Sequence, residues 1–191
     1  MKHTGEFIMP ISDALPKDVC ERLITKFEAH PEEDTTLRDT EFYKFRELEI
    51  TDLEEFKSEK EILMHSASGL LAHYKKELDI NFFPSNYVLE GLRMKKYDPD
   101  NGDQFDWHVD VGNSSSCKRF MVVFWYLNTV EEGGYTAFDW NQDDENCAYV
   151  EAQEGSALLF PPMWMYPHKG VAPKSGPKYI VSTYAHYMDE N

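Results

Sequence analysis

The spacing of apolar and polar positions changes near residue 80. Residues 7–11, Phe-Ile-Met-Pro-Ile, form a short apolar run that predicts a strand. Ser12 or Asp13 opens a turn, and residues 17–30 follow with Val19, Leu23, Ile24 and Phe27 at helical spacing, ended by Pro31. Residues 32–38 are polar and predict a loop, and residues 42–50 a strand. Residues 53–78 predict a long helix with a weak point at Gly69 that can break it. Its buried stripe would be Phe56, Ile62, Leu63, Leu70, Leu71 and Tyr74. Beyond that point, short β-rich runs alternate with clusters of Pro, Gly, Asn and Asp. They predict strands at 87–97, 104–108, 119–127, 135–138, 148–151, 156–160, 168–171 and 179–187.

Helices first and strands afterwards predict an α+β, mainly β protein, with helices packed on a two-sheet core. A jelly roll, the double-stranded β-helix of cupin-like proteins, is the antiparallel solution for that many short strands. A single domain over residues 1–191 is expected, with residues 1–80 as N-terminal strand and supporting helices and 85–191 as the jelly-roll catalytic core.

Composition narrows the class. Hydrophobic residues are 41% and aromatics 14%, so the chain can fill a core. The net charge of −16 would repel a phosphate backbone, which argues against nucleic acid as partner. Cys20, Cys117 and Cys147 are widely spaced, form no CxxC pair and suit a reducing compartment. All three read as small, semi-buried side chains. Neither a signal peptide nor a run long enough to span a membrane is visible, so a soluble cytoplasmic protein without a membrane partner is expected. Oligomeric state is left open.

The chemistry is concentrated in His108-Val109-Asp110, followed by His168 and Lys178. On a strand, residues i and i+2 point to one side, so His108 and Asp110 can face one point. Two imidazoles and a carboxylate can hold one face of an iron(II) ion and leave the other open. His168 is the best third ligand, since the loop at 161–167 can bring the next strand back across the mouth of a sandwich. An HxD triplet alone is weak evidence. The full set in a β-rich context is not. Lys178 begins the apolar strand Tyr179-Ile180-Val181, where an inward cation needs an anionic partner such as a dicarboxylate. Of the other histidines, His3, His30, His65 and His73 read as solvated or structural, and His186 is on a strand that can line the site.

An ordered set of residues extends well beyond the triad. It runs Arg93…Tyr97-Asp98-Pro99, Gln104 to Asp110, Arg119…Tyr126-Leu127-Asn128, Gly133-Gly134…Thr136-Ala137-Phe138, Gly155 to Phe160, His168-Lys169-Gly170-Val171 and Gly176-Pro177-Lys178-Tyr179. Over roughly half the chain this resembles the prolyl 4-hydroxylase-like branch of the iron(II)- and 2-oxoglutarate-dependent dioxygenases. The resemblance implies that His108, Asp110 and His168 bind Fe(II). It implies that Lys178 and Tyr126 hold the distal carboxylate of 2-oxoglutarate and that Tyr97 lies near its other end. Ser182 or Thr183 adds a hydroxyl. For both tyrosines core packing is the other reading. The family often has Glu after Gly-Gly and Trp near the end of the last strand, where this chain has Tyr135 and Tyr184. These departures bear on the substrate.

The implied reaction consumes 2-oxoglutarate and O2, releases succinate and CO2, and hydroxylates an unactivated C–H bond, with ascorbate as an optional reductant. The expected substrate is a prolyl residue in a peptide or protein. The alternatives are a free amino acid, small metabolite or other side chain, or a non-catalytic cupin-type binding module. Trp107, Arg119, Tyr135, Asp139, Trp140, Trp164, Tyr166 and Tyr184 are the candidate substrate contacts. The loop at 98–104 is either a mobile lid or an ordinary turn.

Overall fold

The computed structural model describes residues 7–31 and 34–188, so His3 and part of the 32–38 segment lie outside the described residues. In chain order the elements are β1 (Met9–Ile11), α1 (Lys17–Ala29), β2 (Thr36–Asp39), β3 (Tyr43–Glu49) and α2 (Lys57–Glu77). These are followed by β4 (Tyr87–Leu89), β5 (Arg93–Tyr97), β6 (Gln104–His108), β7 (Arg119–Tyr126) and β8 (Thr136–Phe138). The chain then ends with β9 (Ala148–Val150), β10 (Ala157–Phe160), β11 (His168–Gly170) and β12 (Lys178–Tyr187). The strands hydrogen-bond in the order β1-β10-β7-β12-β5-β3-β6-β11-β8-β9, with β2 on β3 and β4 on β12. Every ladder is antiparallel. This nearly closed, curled sheet is the expected double-stranded β-helix, with α1 and α2 laid against one face.

Alternation along the central strands separates two cores. On β7, Met121, Val123 and Trp125 join an outer cluster with Leu23 and Phe27 of α1 and Leu63, Leu71 and Tyr74 of α2. Val122, Phe124 and Tyr126 point the other way, into an inner cluster with Phe45, Tyr97, Phe138 and Phe160. On β12, Tyr179, Val181 and Ala185 are outer, while Ile180 and Tyr184 are inner. Strands buried on both faces read as continuous apolar runs rather than as alternation, which is how 119–127 and 179–187 appear in the sequence. Two polar contacts fix the helices on the sheet. Trp125 Nε1 donates to Ser66 Oγ at 3.1 Å, and Ser66 donates on to the Ala14 carbonyl at 3.0 Å.

Several expectations change. Within the polar 32–38 segment, Thr36 starts β2, which pairs with β3 as a fully exposed edge strand and so carries no apolar signal. The 87–97 run is two strands, because Glu90-Gly91-Leu92 leaves the ladder. There Leu92 N donates to Thr51 Oγ1 at 2.7 Å, and a Cβ on Gly91 would fall 2.7 Å from Glu49 Oε1. The long helix begins as a 3-10 turn at Glu54–Phe56 and then runs unbroken through Gly69, which is exposed with open space around it. The 98–104 loop is an ordinary turn. Asp98 caps a 3-10 turn over Pro99–Asn101, and Gly102 takes φ 67°. Cys117 is exposed, whereas Cys20 and Cys147 are buried.

Candidate active site

The two histidines meet because β11 pairs with β6 in a register that sets His168 directly opposite His108. Asp110 lies just past the end of β6 rather than on it, in a bend, so local chain direction and not strand alternation turns its carboxylate to the histidines. His108 Nε2 is 3.7 Å from Asp110 Oδ1, and His168 Nε2 is 3.4 Å from Asp110 Oδ2. One ligand atom from each residue falls within 4.8 Å of the others, and among the described residues this is the group of three metal-ligating side chains so arranged.

The imidazoles are in the tautomer a metal needs. His108 Nδ1 faces the Asp106 carbonyl at 2.7 Å and His168 Nδ1 the Tyr166 carbonyl at 3.1 Å. A carbonyl only accepts, so each Nδ1 carries a proton, which leaves Nε2 as the nitrogen for a metal. Burial, with His168 close by, pushes the His108 pKa down to about 3, so the ring is neutral. Phe105 stacks on it with ring centroids 3.5 Å apart. Burial alone would raise the Asp110 carboxyl, but the flanking His168 and His108 hold it below its ordinary value as a carboxylate. Two imidazole nitrogens and one carboxylate suit a divalent first-row ion such as iron(II).

A second tier holds Asp110. Tyr184 donates its hydroxyl to Asp110 Oδ1 at 2.9 Å. Arg119 lies over the Tyr184 ring at 3.9 Å, binds both oxygens of Glu90 at 2.6 and 2.8 Å, and reaches the Asp110 carbonyl at 3.5 Å. Tyr184 and Arg119, expected among the substrate contacts, are thus brought to Asp110, a candidate metal ligand.

One cavity is lined by the triad together with Tyr97, Lys178, Ser182, Tyr184, Thr136 and Lys95. Lys178 is 3% exposed and has no ion-pair partner among the described residues. Its ammonium sits over the rings of Tyr97 and Tyr126 at 5.5 and 5.4 Å. Burial, with Lys95 nearby, pulls its pKa down to about 7. Ser182 Oγ is buried and has no hydrogen-bond partner among the described residues. Tyr126 is packed behind this wall, its hydroxyl 2.7 Å from Thr136 Oγ1.

Other expected contacts fall elsewhere. Thr183 is on the opposite face of β12, where its hydroxyl donates to the Glu90 carbonyl at 2.8 Å, so only Ser182 of that pair faces the cavity. Trp107 points away from His108 and donates to Asp144 Oδ1 at 3.0 Å. Tyr135 packs on Tyr149 in a separate groove. Trp140 and Trp164 meet edge to face, 5.6 Å apart and exposed. Asp139 accepts from the backbone of Asn141 and Asp143, shaping its own turn. Tyr166 contributes its carbonyl to His168. His186 is outside the cavity, beside the Tyr187 carbonyl. Sequence reading missed Lys95, Phe105, Thr136 and Glu90. For Lys95 the signal was present, since it is two residues from Tyr97 on a strand and must share its face.

The geometry brings two imidazoles and a carboxylate to one point, where they could hold a metal ion, with a buried lysine in the same cavity. Residues 92–186 match the model of the 2OG-Fe(II) oxygenase superfamily. No curated protein sequence matches the chain. Among solved structures, the viral collagen prolyl hydroxylase of Paramecium Bursaria Chlorella virus-1, in complex with 2OG, aligns with TM-score 0.74 at 18% identity. That alignment covers 96% of this chain and 98% of the viral one. A Pseudomonas putida prolyl-4-hydroxylase aligns with TM-score 0.69 at 15% identity, over 95% and 93%. A Trichoplax adhaerens prolyl hydroxylase, in complex with a hypoxia inducible factor oxygen degradation domain peptide fragment, gives 0.74 at 16% identity, over 95% and 84%. The chain belongs to the 2OG-Fe(II) oxygenase superfamily, the 2-oxoglutarate- and iron(II)-dependent dioxygenases. It has the fold of the prolyl 4-hydroxylase-like branch.

Proposed function

We propose that this dioxygenase hydroxylates a prolyl residue in a peptide or protein. His108, Asp110 and His168 would hold iron(II), and Lys178 would receive the distal carboxylate of 2-oxoglutarate. The observation that carries the assignment is a buried, unpaired lysine in the same cavity as three converging ligand atoms. When bound, the metal and co-substrate supply the oxidative chemistry. The chain orients the groups and excludes water. The backbone carbonyls of Asp106 and Tyr166 fix both imidazoles, and Tyr184 leaves one Asp110 oxygen free of its hydrogen bond. Phe124, Phe160 and Ile180 give the cavity apolar walls. Support for a peptidyl substrate comes from the fold shared with prolyl hydroxylases, one of them holding a peptide.

The test is succinate release from 2-oxoglutarate by iron-loaded protein, with and without proline-rich peptides and free amino acids. Peptide-stimulated release with a mass gain of one oxygen on the peptide is the expected result. Stimulation by small molecules alone would move the substrate to that class.

We further infer a single domain in a reducing, cytoplasmic setting. Support for one domain is that β1 and β3, from the N-terminal part, pair with β10 and β5. Support for the setting is the wide spacing of Cys20, Cys117 and Cys147, which form no CxxC pair.

A further inference from the structure

The cavity holds a second buried cation that the reading above leaves without a role. Lys95 lies on β5, opposite Ile180 of β12 on one side and Glu47 of β3 on the other. It is 9% exposed and lines the cavity with the triad, Lys178 and Ser182. Among the described residues no hydrogen bond or ion pair reaches its ammonium. Glu47, its neighbour across the ladder, is engaged by Arg38 at 3.0 Å. The ammonium instead faces the rings of Phe45 at 5.0 Å and Phe105 at 6.0 Å. Since Phe105 stacks on His108, the charge is one ring away from the metal ligands.

Counting charge shows what is missing. The cavity faces two lysines, Lys95 and Lys178, and one carboxylate, Asp110. Before any ligand binds, Asp110 offsets one lysine. One buried cation is left over. Contact with aromatic faces offsets only part of the cost of burying it. Ser182 Oγ, on the same inner row of β12 as Ile180, is buried and unpartnered as well. An unpaired donor and an unpaired cation in one cavity call for an acceptor carrying negative charge.

We propose that Lys95 and Ser182 form a second carboxylate-binding position beside the triad, on a different strand from Lys178 in the case of the lysine. The inference rests on the dioxygenase reading above. The carboxylate comes from one of two sources. It is the oxo-acid end of the co-substrate, or it is carried by the substrate, as in a free amino acid or an acidic side chain.

Calorimetric titration of 2-oxoglutarate into the manganese(II)-loaded full chain, without oxygen, separates the sources. Wild type, Lys95→Met, Lys95→Arg and Lys178→Met are compared, with manganese affinity measured alongside. In a second arm, free amino acids and their carboxamides are titrated into protein already saturated with 2-oxoglutarate. If the co-substrate is the source, Lys95→Met weakens 2-oxoglutarate by at least about tenfold, and Lys95→Arg restores part of it. If the substrate is the source, 2-oxoglutarate affinity holds, and Lys95→Met erases a preference of about tenfold for acids over amides. Unchanged 2-oxoglutarate binding together with equal binding of acids and amides by wild type overturns the proposal. So does a Lys95→Met protein that melts several degrees below wild type without ligand, since deleting an unpaired charge should not destabilise the fold. Wild type that binds no 2-oxoglutarate at all would sink the functional reading itself, a result distinct from failure at Lys95 alone.

Discussion

Glu59, between α1 and α2, and Lys178, inside the cavity, are both charged side chains removed from water, at 1% and 3% exposed. Their surroundings differ completely. Glu59 receives Lys26 Nζ at 2.5 Å, Ser58 Oγ at 2.9 Å and Arg22 Nε at 3.1 Å. Burial alone would raise its carboxyl, but Lys26, Ser58 and Arg22 outweigh that and hold it at about 2. Lys178 has ring faces around it and no counter-charge, and burial drags its ammonium down to about 7. A buried charge whose partners are all supplied by the chain ties helices together. A buried charge left without a partner, facing a cavity, is held for a ligand.

The largest effect should come from removing the side chains proposed to hold the metal. Asp110→Ala or His108→Ala is expected to abolish succinate formation. The loss of metal affinity should exceed the roughly 10–100-fold that follows removal of a supporting contact. Circular dichroism should stay native, since neither side chain fills the outer core. An unfolded variant would mean that the triad also serves the structure, and the contrast with Glu59 would blur.

Exchanging the two buried charges comes next and tests the contrast directly. Lys178→Met should weaken 2-oxoglutarate by about 30-fold or more, the scale on which truncating one side of a buried charge pair acts. Its melting temperature without ligand should hold or rise. Glu59→Gln should do the reverse. It leaves Lys26 and Arg22 without their carboxylate and should cost about 2 kcal/mol, less than a fully buried pair because both cations are partly exposed. Its affinity for 2-oxoglutarate should be that of wild type. Chemical denaturation and calorimetry on the two variants give all four values.

Much of this was legible in the sequence, and the failures have physical causes. That His108, Asp110 and His168 come together, with Lys178 in the same cavity, could be read because these residue types stand in a specific order along the chain. The strands of the core could be read because both faces of β7 and β12 are apolar. The edge strand β2 could not, because its side chains all face water and carry no pattern. Nor could the break between β4 and β5, which is set by the distant partners Thr51 and Arg119. Tyr135 and Trp107 lay in the right segments, but a one-residue difference in register puts a side chain on the other face. Lys95 was missed although alternation from Tyr97 places it, since a lysine is expected at the surface until a strand is known to be covered.

A pH titration sharpens the same contrast. The ligand-free Lys178 is depressed to about 7, so its ammonium must be restored to pair with a carboxylate. Apparent 2-oxoglutarate affinity should fall by about tenfold per pH unit above that value, with proton uptake on binding seen as buffer-dependent heat. Affinity flat from pH 7 to 9 would break the assignment. Glu59 works at the other end. Its folded pKa is depressed, so its contribution is complete above the ordinary carboxylate range and is lost as pH falls toward about 2. Acid unfolding should therefore begin later in Glu59→Gln relative to its own neutral-pH stability, a smaller effect read from denaturation midpoints.

The smallest effect compares adjacent hydroxyls on β12. Thr183 Oγ1 donates to the Glu90 carbonyl, the residue whose carboxylate holds Arg119, so its role is the same kind as that of Glu59. Thr183→Val keeps the shape and strands a buried carbonyl, which should cost about 1 kcal/mol of stability and leave ligand binding alone. Ser182 Oγ has no partner to lose. Ser182→Ala should leave the ligand-free fold as stable or slightly more so, and weaken carboxylate binding about fivefold, the worth of one typical hydrogen bond at about 1 kcal/mol. Paired melts and titrations on the two variants decide it. If Ser182→Ala destabilises as Thr183→Val does, the empty hydroxyl is a packing element and the inner face of β12 is less reserved for ligand than its unpaired groups indicate.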